Sequence, residues 1–564
     1  MKNYIKLLKS KFDKYKIDGY VVPKNDDYFT EYSKINRLEV ISKFTGSAGL
    51  AIILKNKNLL FTDGRYTIQS QIESGKNFKI YGFERLVNCK LFNNLTLGID
   101  PKLFTYTQIK KFFLKNNKIK LINRNLIDEI KKPKINLSTE FFSLNKNVSG
   151  ESINSKINKI SKYLKKNKSD YIFISAPENV AWLLNIRGGD GPNSPIPNSR
   201  LIISKEKKIL LLSKIKKCKK LLKEQVIKKN QFLDIDKLPN EISKLKGKNF
   251  IVDDKSCSIF FEDLIKLNFK INKREDPTYL FKAIKNKTEI NNMVNAHIID
   301  GVALTKFIYW IKNINKKKIT EVEAATKLEK FRKMNKSFLY PSFDTIAGSG
   351  KNGAIVHYRA RKKNCRKINK KDILLCDSGG QYKYGTTDVT RTICFSNQSQ
   401  NIKNIFTKVL KGHIAVATTN IKKDNTGKKI DKRARKFLQE SNLDYAHGTG
   451  HGVGYFLNVH EGPQSISKVN NVKIKEGMIL SNEPGFYKKN KFGIRIENLV
   501  YVKKEHNKIF FENLTMAPIE KDLINYNLLT EFEKNYLFKY HLDVYAKISK
   551  YLKIEEKKWL LGFI

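Results

Sequence analysis

Short runs of aliphatic and β-branched residues alternate with Lys-rich amphipathic segments throughout the first 275 residues of the chain. Three of these runs occur twice at a similar offset: KIDGYVVP resembles SDYIFISAP, GLAIILKNKNLLFTD resembles SRLIISKEKKILLLS, and LGIDPKLFTYTQIKKFF resembles FIVDDKSCSIFFEDLI. Alternating strand-like and helix-like segments are typical of α/β domains. The pattern therefore predicts two related α/β domains, at residues 1–150 and 151–275.

The remainder of the chain, residues 276–564, changes pattern twice. Apolar positions recur every three or four residues in TEINNMVNAHIIDGVALTKFIYWIK, which predicts a helix. The stretch from Thr345 to Val502 is rich in β-formers and glycine, and the later segment FEKNYLFKYHLDVYAKISKYL is helical again. Thr530 and Glu533 form a candidate capping box before that last helix. We predict an α+β domain with a C-terminal helical extension.

The feature of the composition that bears on function is the large positive net charge of the chain. The chain has 564 residues, of which 109 are Lys or Arg and 54 are Asp or Glu, so its formal net charge is +55. A dedicated nucleic-acid surface should form a patch, a stripe or a tail, but the basic residues are spread along the whole chain. We therefore interpret the charge as a general surface property and expect no dedicated nucleic-acid partner, with nucleic-acid binding kept as an alternative.

The cysteines and the apolar runs bear on the compartment. The six cysteines form no CxxC pair and are Cys89, Cys218, Cys257, Cys365, Cys376 and Cys394. Scattered cysteines are typical of proteins from a reducing compartment. The N-terminal segment builds no signal-peptide core, and no apolar run approaches the length of a membrane span. We expect a cytoplasmic protein that does not interact with membranes.

The segment ILLCDSGGQYKYGTTDVTRTICF predicts a hairpin with one acidic residue on each strand. Asp377 ends an apolar strand, a glycine-rich turn follows, and Asp388 lies in a second strand. If the turn is centred between Tyr382 and Lys383, the two carboxylates are cross-strand partners with Cβ atoms about 5 Å apart. Two anions at that distance repel each other unless a cation lies between them.

The segment ILSNEPGFYKKNKFGIRIENLVYV repeats this arrangement. Glu483 and Glu497 lie at equal distances from the centre of the turn-like KKNK, so a second hairpin presents a second opposed pair of carboxylates. The two-residue period of a strand places Arg495 on the face of Glu497, whereas Ile494 and Ile496 point into a core. Two such pairs are much harder to attribute to surface charge than one.

Five of the eight histidines lie in the same part of the chain: His357, His413, His447, His451 and His460. The segment DYAHGTGHGVGYFLNVHEGP is not the HExxH helix of zinc proteases, because each interior glycine would cost a helix about 1 kcal/mol. In an extended backbone His447 and His451 are about 13 Å apart, too far to bind one ion. One of them can bind a metal while the other serves the substrate.

Four carboxylates and one histidine form an oxygen-rich set of ligands. Such a set suits two hard or borderline divalent ions, such as Mn²⁺ or Co²⁺. It is unlike the thiolate ligands of a zinc site. Two ions about 3.5–4 Å apart can hold a hydroxide and polarise a carbonyl group at neutral pH. The residues therefore predict metal-assisted hydrolysis.

The strings DSGGQYKYGTTDVTRT, HGTGHGVGYFLNVHEGP, SNEPGFY and FGIRIEN closely resemble the Xaa-Pro aminopeptidases, or aminopeptidases P. Their pita-bread fold is shared with prolidase, creatinase and methionine aminopeptidase. The strings FTGSAGLAII, LLFTDGRYTIQ, VAWLLNIRG, LTMAPIEKDLI and KYHL resemble the long, three-domain form of this family. The resemblance spans essentially the whole chain and implies two creatinase/prolidase-type N-terminal α/β domains followed by a pita-bread catalytic domain.

The resemblance also implies a role for each residue of the site. The expected ligands of two metal ions are Asp377, Asp388, His451, Glu483 and Glu497. Among these, Asp388 and Glu497 are expected to bridge the ions, and Glu483 is also a candidate proton shuttle. Arg495 is expected to tune the bridging carboxylates. The histidines expected to position the scissile carbonyl and stabilise the oxyanion are His357, His447 and His460.

The implied reaction removes the first residue from a peptide whose second residue is proline, by means of a hydroxide that bridges two metal ions. Mn²⁺ is the expected metal, with Co²⁺ or Zn²⁺ as alternatives, and a homodimer is the expected assembly. An Xaa-Pro bond has no N–H for a general peptidase to recognise. The alternatives are a prolidase that cleaves only dipeptides and a pita-bread binding module without activity.

Two features depart from the family or stay ambiguous. Arg359 and Arg361 follow His357 where the resemblance leads us to expect less charge, which leaves the substrate preference of the rim open. The Gly/Pro-rich segment GGDGPNSPIPNSR is either a loop over the active site or a plain surface linker. All five ligand positions of the family are present, so we expect an active enzyme.

Overall fold

The computed structural model describes residues 3–87, 91–113, 115–133, 140–314, 319–363 and 365–564. The chain divides into two compact units, Met1–Tyr279 and Leu280–Ile564. The first unit contains both copies of the repeat that the sequence predicts. The second contains nearly all of the predicted α+β region.

The first unit contains two six-stranded sheets, one for each copy of the repeat. The elements of the first copy are α1 (Tyr4–Lys9), β1 (Gly19–Pro23), α2 (Arg37–Ser42), β2 (Leu50–Leu54), β3 (Asn58–Thr62), α3 (Thr67–Ser74), β4 (Lys79–Gly82), β5 (Thr96–Ile99), α4 (Tyr106–Phe112), β6 (Lys118–Leu121) and α5 (Leu126–Ile130). The elements that follow are β7 (Phe142–Ser143), α6 (Lys146–Ser149), α7 (Ile153–Lys166), β8 (Tyr171–Ile174), α8 (Pro177–Leu183), β9 (Ile186–Arg187), β10 (Arg200–Ser204), β11 (Ile209–Ser213), α9 (Ile215–Lys223), β12 (Phe232–Asp234), α10 (Leu238–Glu241), β13 (Asn249–Val252), α11 (Ile259–Lys266), β14 (Lys270–Lys273) and α12 (Thr278–Ala283).

Both sheets have the same topology. The strand order is β4-β3-β2-β1-β5-β6 in the first sheet and β12-β11-β10-β8-β13-β14 in the second. In each sheet the central strand, β1 or β8, pairs with one antiparallel neighbour and one parallel neighbour. The prediction of two related α/β sheets is confirmed, whereas the domain boundaries at residues 150 and 275 stay predictions.

The continuous apolar run of β2 reflects burial on both faces of its sheet. Ala51 and Ile53 pack into one hydrophobic cluster, and Ile52 and Leu54 pack into another. Because successive side chains of a strand point to opposite faces, a strand covered on both sides is apolar at every position. This explains why the sequence showed short uninterrupted runs there rather than alternation.

The second unit combines small antiparallel sheets with long helices. Its elements are α13 (Lys287–Asn313), α14 (Glu321–Lys333), β15 (Phe338–Pro341), β16 (Ile346–Ser349), β17 (Ile373–Ser378), β18 (Gly380–Tyr382), β19 (Gly385–Thr386), β20 (Val389–Cys394), α15 (Gln400–Ala417), α16 (Gly427–Gln439), β21 (Gly450–Gly452), β22 (Glu461–Ile466), β23 (Ile479–Asn482), β24 (Gly485–Lys488), β25 (Phe492–Arg495), β26 (Asn498–Glu505), β27 (Lys508–Asn513), α17 (Glu531–Ile548) and α18 (Ile554–Leu561). The sheets are β15-β18-β19, β16-β17-β20, β22-β21-β23-β26-β27 and the pair β24-β25.

Capping boxes mark the starts of three helices in the second unit. In each box a cap side chain and a glutamate three residues later satisfy each other's backbone amides, which would otherwise lack partners. The capping pairs of α13, α14 and α17 are Asn286 with Glu289, Thr320 with Glu323, and Thr530 with Glu533. The box at Thr530 confirms the predicted start of the last long helix.

The structure describes five of the six cysteines, and all five are free: Cys218, Cys257, Cys365, Cys376 and Cys394. Cys89 lies outside the described residues. Among the helices of the described ranges, none is both long enough and apolar enough to cross a bilayer.

Candidate metal centre

The hairpin formed by β17 and β20 carries the first acidic pair in a register that differs from the predicted one. Asp377 pairs with Thr390, and the turn consists of Lys383 and Tyr384. The prediction that Asp377 and Asp388 are direct cross-strand partners is therefore wrong. A shift of two residues keeps every side chain on its original face, so the residue pattern could not distinguish the two registers. The Asp388 carboxylate, just before β20, still meets that of Asp377.

The second hairpin has the predicted register. Strand β23 pairs with β26 and β24 pairs with β25, so Glu483 and Glu497 lie opposite each other between the two paired segments. Ile494 and Ile496 pack into a hydrophobic cluster with side chains of α15 and α17. Arg495 points the other way and contacts Asp377 of the first hairpin. The parity argument made from the sequence is confirmed.

The structure brings all five expected ligands into one cluster. In each of three overlapping groups, one potential ligand atom per residue lies within 4.8 Å of the others. The groups are Asp377, Asp388 and Glu497; His451, Glu483 and Glu497; and Asp388, His451 and His460. Asp388, Glu497 and His451 each belong to two groups, and of these three only the two carboxylates offer two oxygens with which to contact two ions. A residue that bridges two ions needs such a position.

His451 on β21 is the imidazole of the cluster. Its Nδ1 is 2.9 Å from the carbonyl oxygen of Gly452, and in the neutral tautomer that donates Nδ1–H to this oxygen, Nε2 is the nitrogen available to a metal ion. Nε2 is 3.5 Å from a carboxylate oxygen of Asp388 and 3.5 Å from one of Glu483. A backbone carbonyl that fixes the tautomer in this way is a common companion of metal-binding histidines.

Arg495 is fully buried and links the two hairpins. Its Nη2 donates a hydrogen bond of 2.6 Å to Asp377 Oδ2, and its Nε donates to Thr390 Oγ1 at 3.0 Å. The Thr390 hydroxyl donates in turn to Glu497 Oε2 at 2.7 Å. A cation and one hydroxyl therefore fix the orientation of a carboxylate from each hairpin.

Tyr487 extends this network towards His447. Arg495 Nη1 donates to the Tyr487 hydroxyl at 2.6 Å, and the hydroxyl oxygen is 2.9 Å from His447 Nε2. Burial raises the pKa of Tyr487 to about 12, although the charge of Arg495 lowers it. His447 thus reaches the cluster through Tyr487 and Arg495 and belongs to none of the three ligand groups.

The carboxylates of the cluster are under strong mutual repulsion. Burial raises the pKa of Asp388 well above its usual range, and the charges of Asp377 and Glu483 raise it further. Burial likewise raises the pKa of Glu497, reinforced by the charges of Asp388 and Glu483. The pKa of Arg495 is raised because its negative neighbours outweigh the effect of burial. One arginine does not balance four carboxylates, so protons or bound cations must neutralise part of the cluster.

The Asp377 side chain tests whether metal ions fit this site. Its Oδ1 is buried and has no hydrogen-bond partner, while Oδ2 accepts the bond from Arg495. An unpartnered buried polar atom costs free energy, and a divalent cation would satisfy it. The donor set of carboxylate oxygens and one imidazole nitrogen suits hard or borderline divalent ions. The residues present therefore fit a metal centre.

The remaining histidines occupy different positions around the cluster. The rings of His460 and His451 are nearly perpendicular, with centroids 4.3 Å apart. His357 is half-buried and follows Val356, whose carbonyl oxygen is 3.5 Å from Arg495 Nη2.

His413, the fifth histidine of the sequence cluster, belongs to none of the three ligand groups. It is buried on α15, with Nδ1 3.1 Å from the carbonyl oxygen of Asn482, and burial lowers its pKa to about 3.

Glu321 was missed by the sequence reasoning. It is the first residue of α14 and is fully buried. Its carboxylate oxygens accept hydrogen bonds of 2.8–3.0 Å from Ser349, Asn352, Tyr358 and Arg366. These donors lie on both sides of His357, so one carboxylate holds both ends of its loop. The capping box at Thr320 marks the helix start, but no sequence signal reveals the burial of Glu321.

Two neutral residues of the network, Thr390 and Tyr487, were also missed. Each relays a hydrogen bond from Arg495, as described above. Both lie within the motif strings DVTRT and EPGFY, so position in the motif was the available signal. Hydroxyl residues in strands are common, and their spacing alone does not distinguish a relay from an ordinary strand residue.

Comparison with protein families covers nearly the whole chain. Residues 291–504 match metallopeptidase family M24, and residues 508–562 match the C-terminal region described for that peptidase. Residues 5–128 and 131–289 each match a creatinase/prolidase N-terminal domain. Together these regions define a pita-bread metallopeptidase with two creatinase-type N-terminal domains.

Individual relatives match over most of their own length. The probable Xaa-Pro aminopeptidase P of Laccaria bicolor is 36% identical over 593 residues, covering 98% of this chain and 91% of the relative. Xaa-Pro aminopeptidase 1 of Dictyostelium discoideum is 37% identical and covers 94% of this chain and 90% of the relative. The chain therefore belongs to the Xaa-Pro aminopeptidase P group of the M24 metallopeptidases and is an enzyme.

Solved structures agree with this assignment. The X-prolyl aminopeptidase from Caenorhabditis elegans, described as a cytosolic enzyme with a di-nuclear active site, has a TM-score of 0.91 and 28% identity over 100% of this chain and 99% of its own. Prolidase from Pyrococcus furiosus, 26% identical, has a TM-score of 0.51 and covers 63% of this chain and 98% of its own. The C. elegans aminopeptidase thus matches a larger part of the chain than the prolidase does.

Proposed function

We propose that this enzyme releases the N-terminal residue from peptides whose second residue is proline, using a dinuclear metal centre. The observation that carries the proposal is the sharing of Asp388 and Glu497 between overlapping ligand groups, as two adjacent ions require. The names of the relatives, which describe Xaa-Pro aminopeptidases, support the choice of substrate.

The proposed metal ligands are Asp377, Asp388, His451, Glu483 and Glu497, with Asp388 and Glu497 shared by both ions. When bound, two divalent ions would supply Lewis acidity and hold a bridging hydroxide, because coordination lowers the pKa of water towards neutrality. Mn²⁺ is the proposed metal, with Co²⁺ or Zn²⁺ as alternatives. The unpartnered Oδ1 of Asp377 and the Gly452 carbonyl oxygen 2.9 Å from His451 Nδ1 support this assignment.

The protein's own residues account for positioning and proton movement. Glu483 is the proposed proton shuttle, since its carboxylate is half-buried and accepts a hydrogen bond from Ser481 at 3.0 Å. Arg495 holds the carboxylate of Asp377 and keeps the Thr390 hydroxyl directed at Glu497.

His357, His447 and His460 are proposed to bind the scissile carbonyl and the developing oxyanion. Preorganised donors of this kind typically contribute a factor of about 10²–10³ to turnover. His447 and His460 fit this role because they adjoin the cluster through Tyr487 and His451, respectively.

The deciding experiment combines metal analysis with a peptide assay. We expect two Mn²⁺ ions per chain, release of Arg from Arg-Pro-Pro, and loss of activity with a chelator that added Mn²⁺ reverses. An Xaa-Pro dipeptide serves as the comparison substrate, because a prolidase cleaves it in preference to the tripeptide. Unchanged tripeptide hydrolysis after complete metal removal would contradict the proposal.

The assembly and the location are also proposals. We propose a cytoplasmic homodimer. The cytoplasmic location is supported by the C. elegans enzyme, which is described as cytosolic. Size-exclusion chromatography with light scattering tests the dimer, since a monomer has half the mass.

A further inference from the structure

Arg391 on β20 is a deeply buried cation, 1% exposed, whose hydrogen-bond partners are neutral. These partners are the carbonyl oxygens of Thr390, Glu497, Ala517 and Pro518, Oδ1 of Asn498 and the hydroxyl of Tyr540. Burying a charge costs free energy unless an opposite charge is near. Burial lowers the pKa of Arg391, and Tyr540 and the Glu497 carboxylate only partly offset this effect.

One side of Arg391 holds Glu497 in place. Arg391 Nη1 donates to the Glu497 carbonyl oxygen at 2.6 Å. The backbone N–H of Glu497 donates a hydrogen bond of 3.2 Å to the carbonyl oxygen of the neighbouring Thr390. The Thr390 hydroxyl donates to Glu497 Oε2. The carbonyl, the amide and the carboxylate of Glu497 are therefore all held by two consecutive residues of β20.

The other side of Arg391 holds the C-terminal part of the chain. Nε donates to Pro518 at 2.9 Å, and Nη2 donates to Ala517 at 2.9 Å and to the Tyr540 hydroxyl at 3.0 Å. Tyr540 on α17 donates back to the carbonyl of Ala517 at 2.7 Å. Arg391 is thus a direct connection between the C-terminal region and Glu497.

We propose that Arg391 is a positioning residue for the Glu497 carboxylate, and that the C-terminal region sets the metal affinity of the site through Arg391. The proposal rests on the proposed function, in which Glu497 bridges the two ions. Residues that hold a metal ligand in place typically change metal affinity about 10–100-fold when replaced.

The sign of the effect separates positioning from simple charge. A cation near the site repels metal ions, so removing Arg391 would strengthen metal binding if its charge were all that mattered. If Arg391 acts by positioning Glu497, its replacement weakens metal binding although the repulsion is relieved. Lysine keeps the charge but cannot reproduce the planar array of donors.

The test titrates metal-free, full-length protein with MnCl₂ by isothermal titration calorimetry. We expect Arg391→Lys and Arg391→Met to bind at least one Mn²⁺ ion about 10–100-fold more weakly than the wild type does. Excess Mn²⁺ should restore the turnover number of Arg391→Lys. Binding by Arg391→Met that equals or exceeds that of the wild type would overturn the proposal.

A second pair of variants covers the case in which Arg391 variants do not fold. Tyr540→Phe removes one acceptor of Arg391. The matched control Tyr536→Phe removes a hydroxyl of the same helix that accepts a hydrogen bond from Asn513 at 3.1 Å. We expect weaker Mn²⁺ binding for Tyr540→Phe than for Tyr536→Phe. Equal affinities would overturn the proposal, whereas a wild-type protein that binds no Mn²⁺ would overturn the proposed metal centre itself.

Discussion

Asp388 is the residue at which the needs of stability and of metal binding oppose each other most clearly. Its carboxylate is buried beside Asp377 and Glu483, whose charges disfavour its ionised form. Metal ions would relieve this repulsion, because each carboxylate then faces a cation. The arrangement is therefore unfavourable without metal and favourable with it, which is a common condition at active sites.

Replacing Asp388 should separate these two effects. We expect Asp388→Asn to lose both ions and peptide hydrolysis, while the metal-free protein becomes more stable because a buried group whose ionisation is disfavoured is replaced by a neutral amide. Metal analysis and thermal unfolding of chelated samples measure the two effects. The control Asp344→Asn alters an exposed carboxylate paired with Arg359 and should keep both ions. Full activity of metal-replete Asp388→Asn would exclude a bridging role.

His460 should matter for turnover and not for metal content. We expect His460→Ala to retain two ions and to lose activity by a factor of about 10²–10³, as for other donors to an oxyanion. Metal analysis together with the turnover number provides the measurement. Because His460 lies within reach of Asp388 and His451, loss of an ion would show that it is a ligand instead.

At the residue scale, the charge of a residue and the two-residue period of a strand were the features that allowed positions to be predicted from the sequence. Arg495, Ile494 and Ile496 were placed on the correct faces because a strand alternates strictly. Glu321 could not be found, because its burial depends on a loop that contacts it from elsewhere in the chain. Residue type shows that a carboxylate needs partners, but only the tertiary structure shows which partners it has.

The loop that carries His357 depends on one buried carboxylate at the start of α14. We expect Tyr358→Phe, which removes one hydrogen bond to Glu321, to lower the turnover number several-fold without changing the metal content. Glu321→Gln should have a larger effect, because the amide turns an acceptor into a donor facing other donors.

A double-mutant cycle shows whether this effect passes through His357. If Glu321 acts by positioning His357, then Glu321→Gln should have little further effect on turnover in the His357→Ala background. Additive losses would indicate an independent, structural contribution of Glu321. Tyr384→Phe, in the turn of the first hairpin, is the control hydroxyl outside this loop.

The connection between α8 and α12 should give the first unit a pH-dependent stability. Asp276 accepts hydrogen bonds from Asn179 at 2.7 Å and from the Thr278 amide at 2.9 Å. Burial raises the pKa of Asp276 to about 6 although these bonds lower it. The folded state therefore holds the Asp276 proton more tightly than the unfolded state does. The contribution of protonated Asp276 to the free energy of unfolding is lost as pH rises from about 4 to about 6.

Asp276→Asn should remove this part of the pH dependence. A shift of this size corresponds to at most about 3 kcal/mol in the free energy of unfolding between pH 4 and pH 7. Urea unfolding of both proteins at the two pH values measures the difference. The control Asp254→Asn replaces a half-buried carboxylate that accepts a hydrogen bond from Thr107, and it should follow the wild type. Parallel pH dependence of Asp276→Asn and the wild type would contradict the assignment.

Element types were easier to predict than their register. The internal repeat correctly indicated two related sheets, because each copy places its apolar runs in the same order. The first hairpin was misplaced by two residues, since β17 and β20 are buried along their whole length and offer no alternation to fix the pairing. The second hairpin was placed correctly because its turn is clearly polar.

For the whole molecule, the net charge of +55 remains without a structural role. We expect duplex DNA to bind weakly and without sequence preference, with an affinity that falls steeply as salt rises. Fluorescence anisotropy between 50 and 200 mM salt, approximately the range over which such binding is lost, measures this. Tight binding that persists at the higher salt concentration would support a dedicated nucleic-acid role.

The long sequence separation within the metal centre bears on how the protein is made. Asp377 and Glu497 come from hairpins that a ribosome completes at very different times, and the partners of Arg391 extend to Tyr540 on the penultimate helix. A nascent chain that ends before these segments lacks a complete set of ligands. Under the proposed function, a nascent chain therefore gains peptidase activity only after Glu497 has been synthesised.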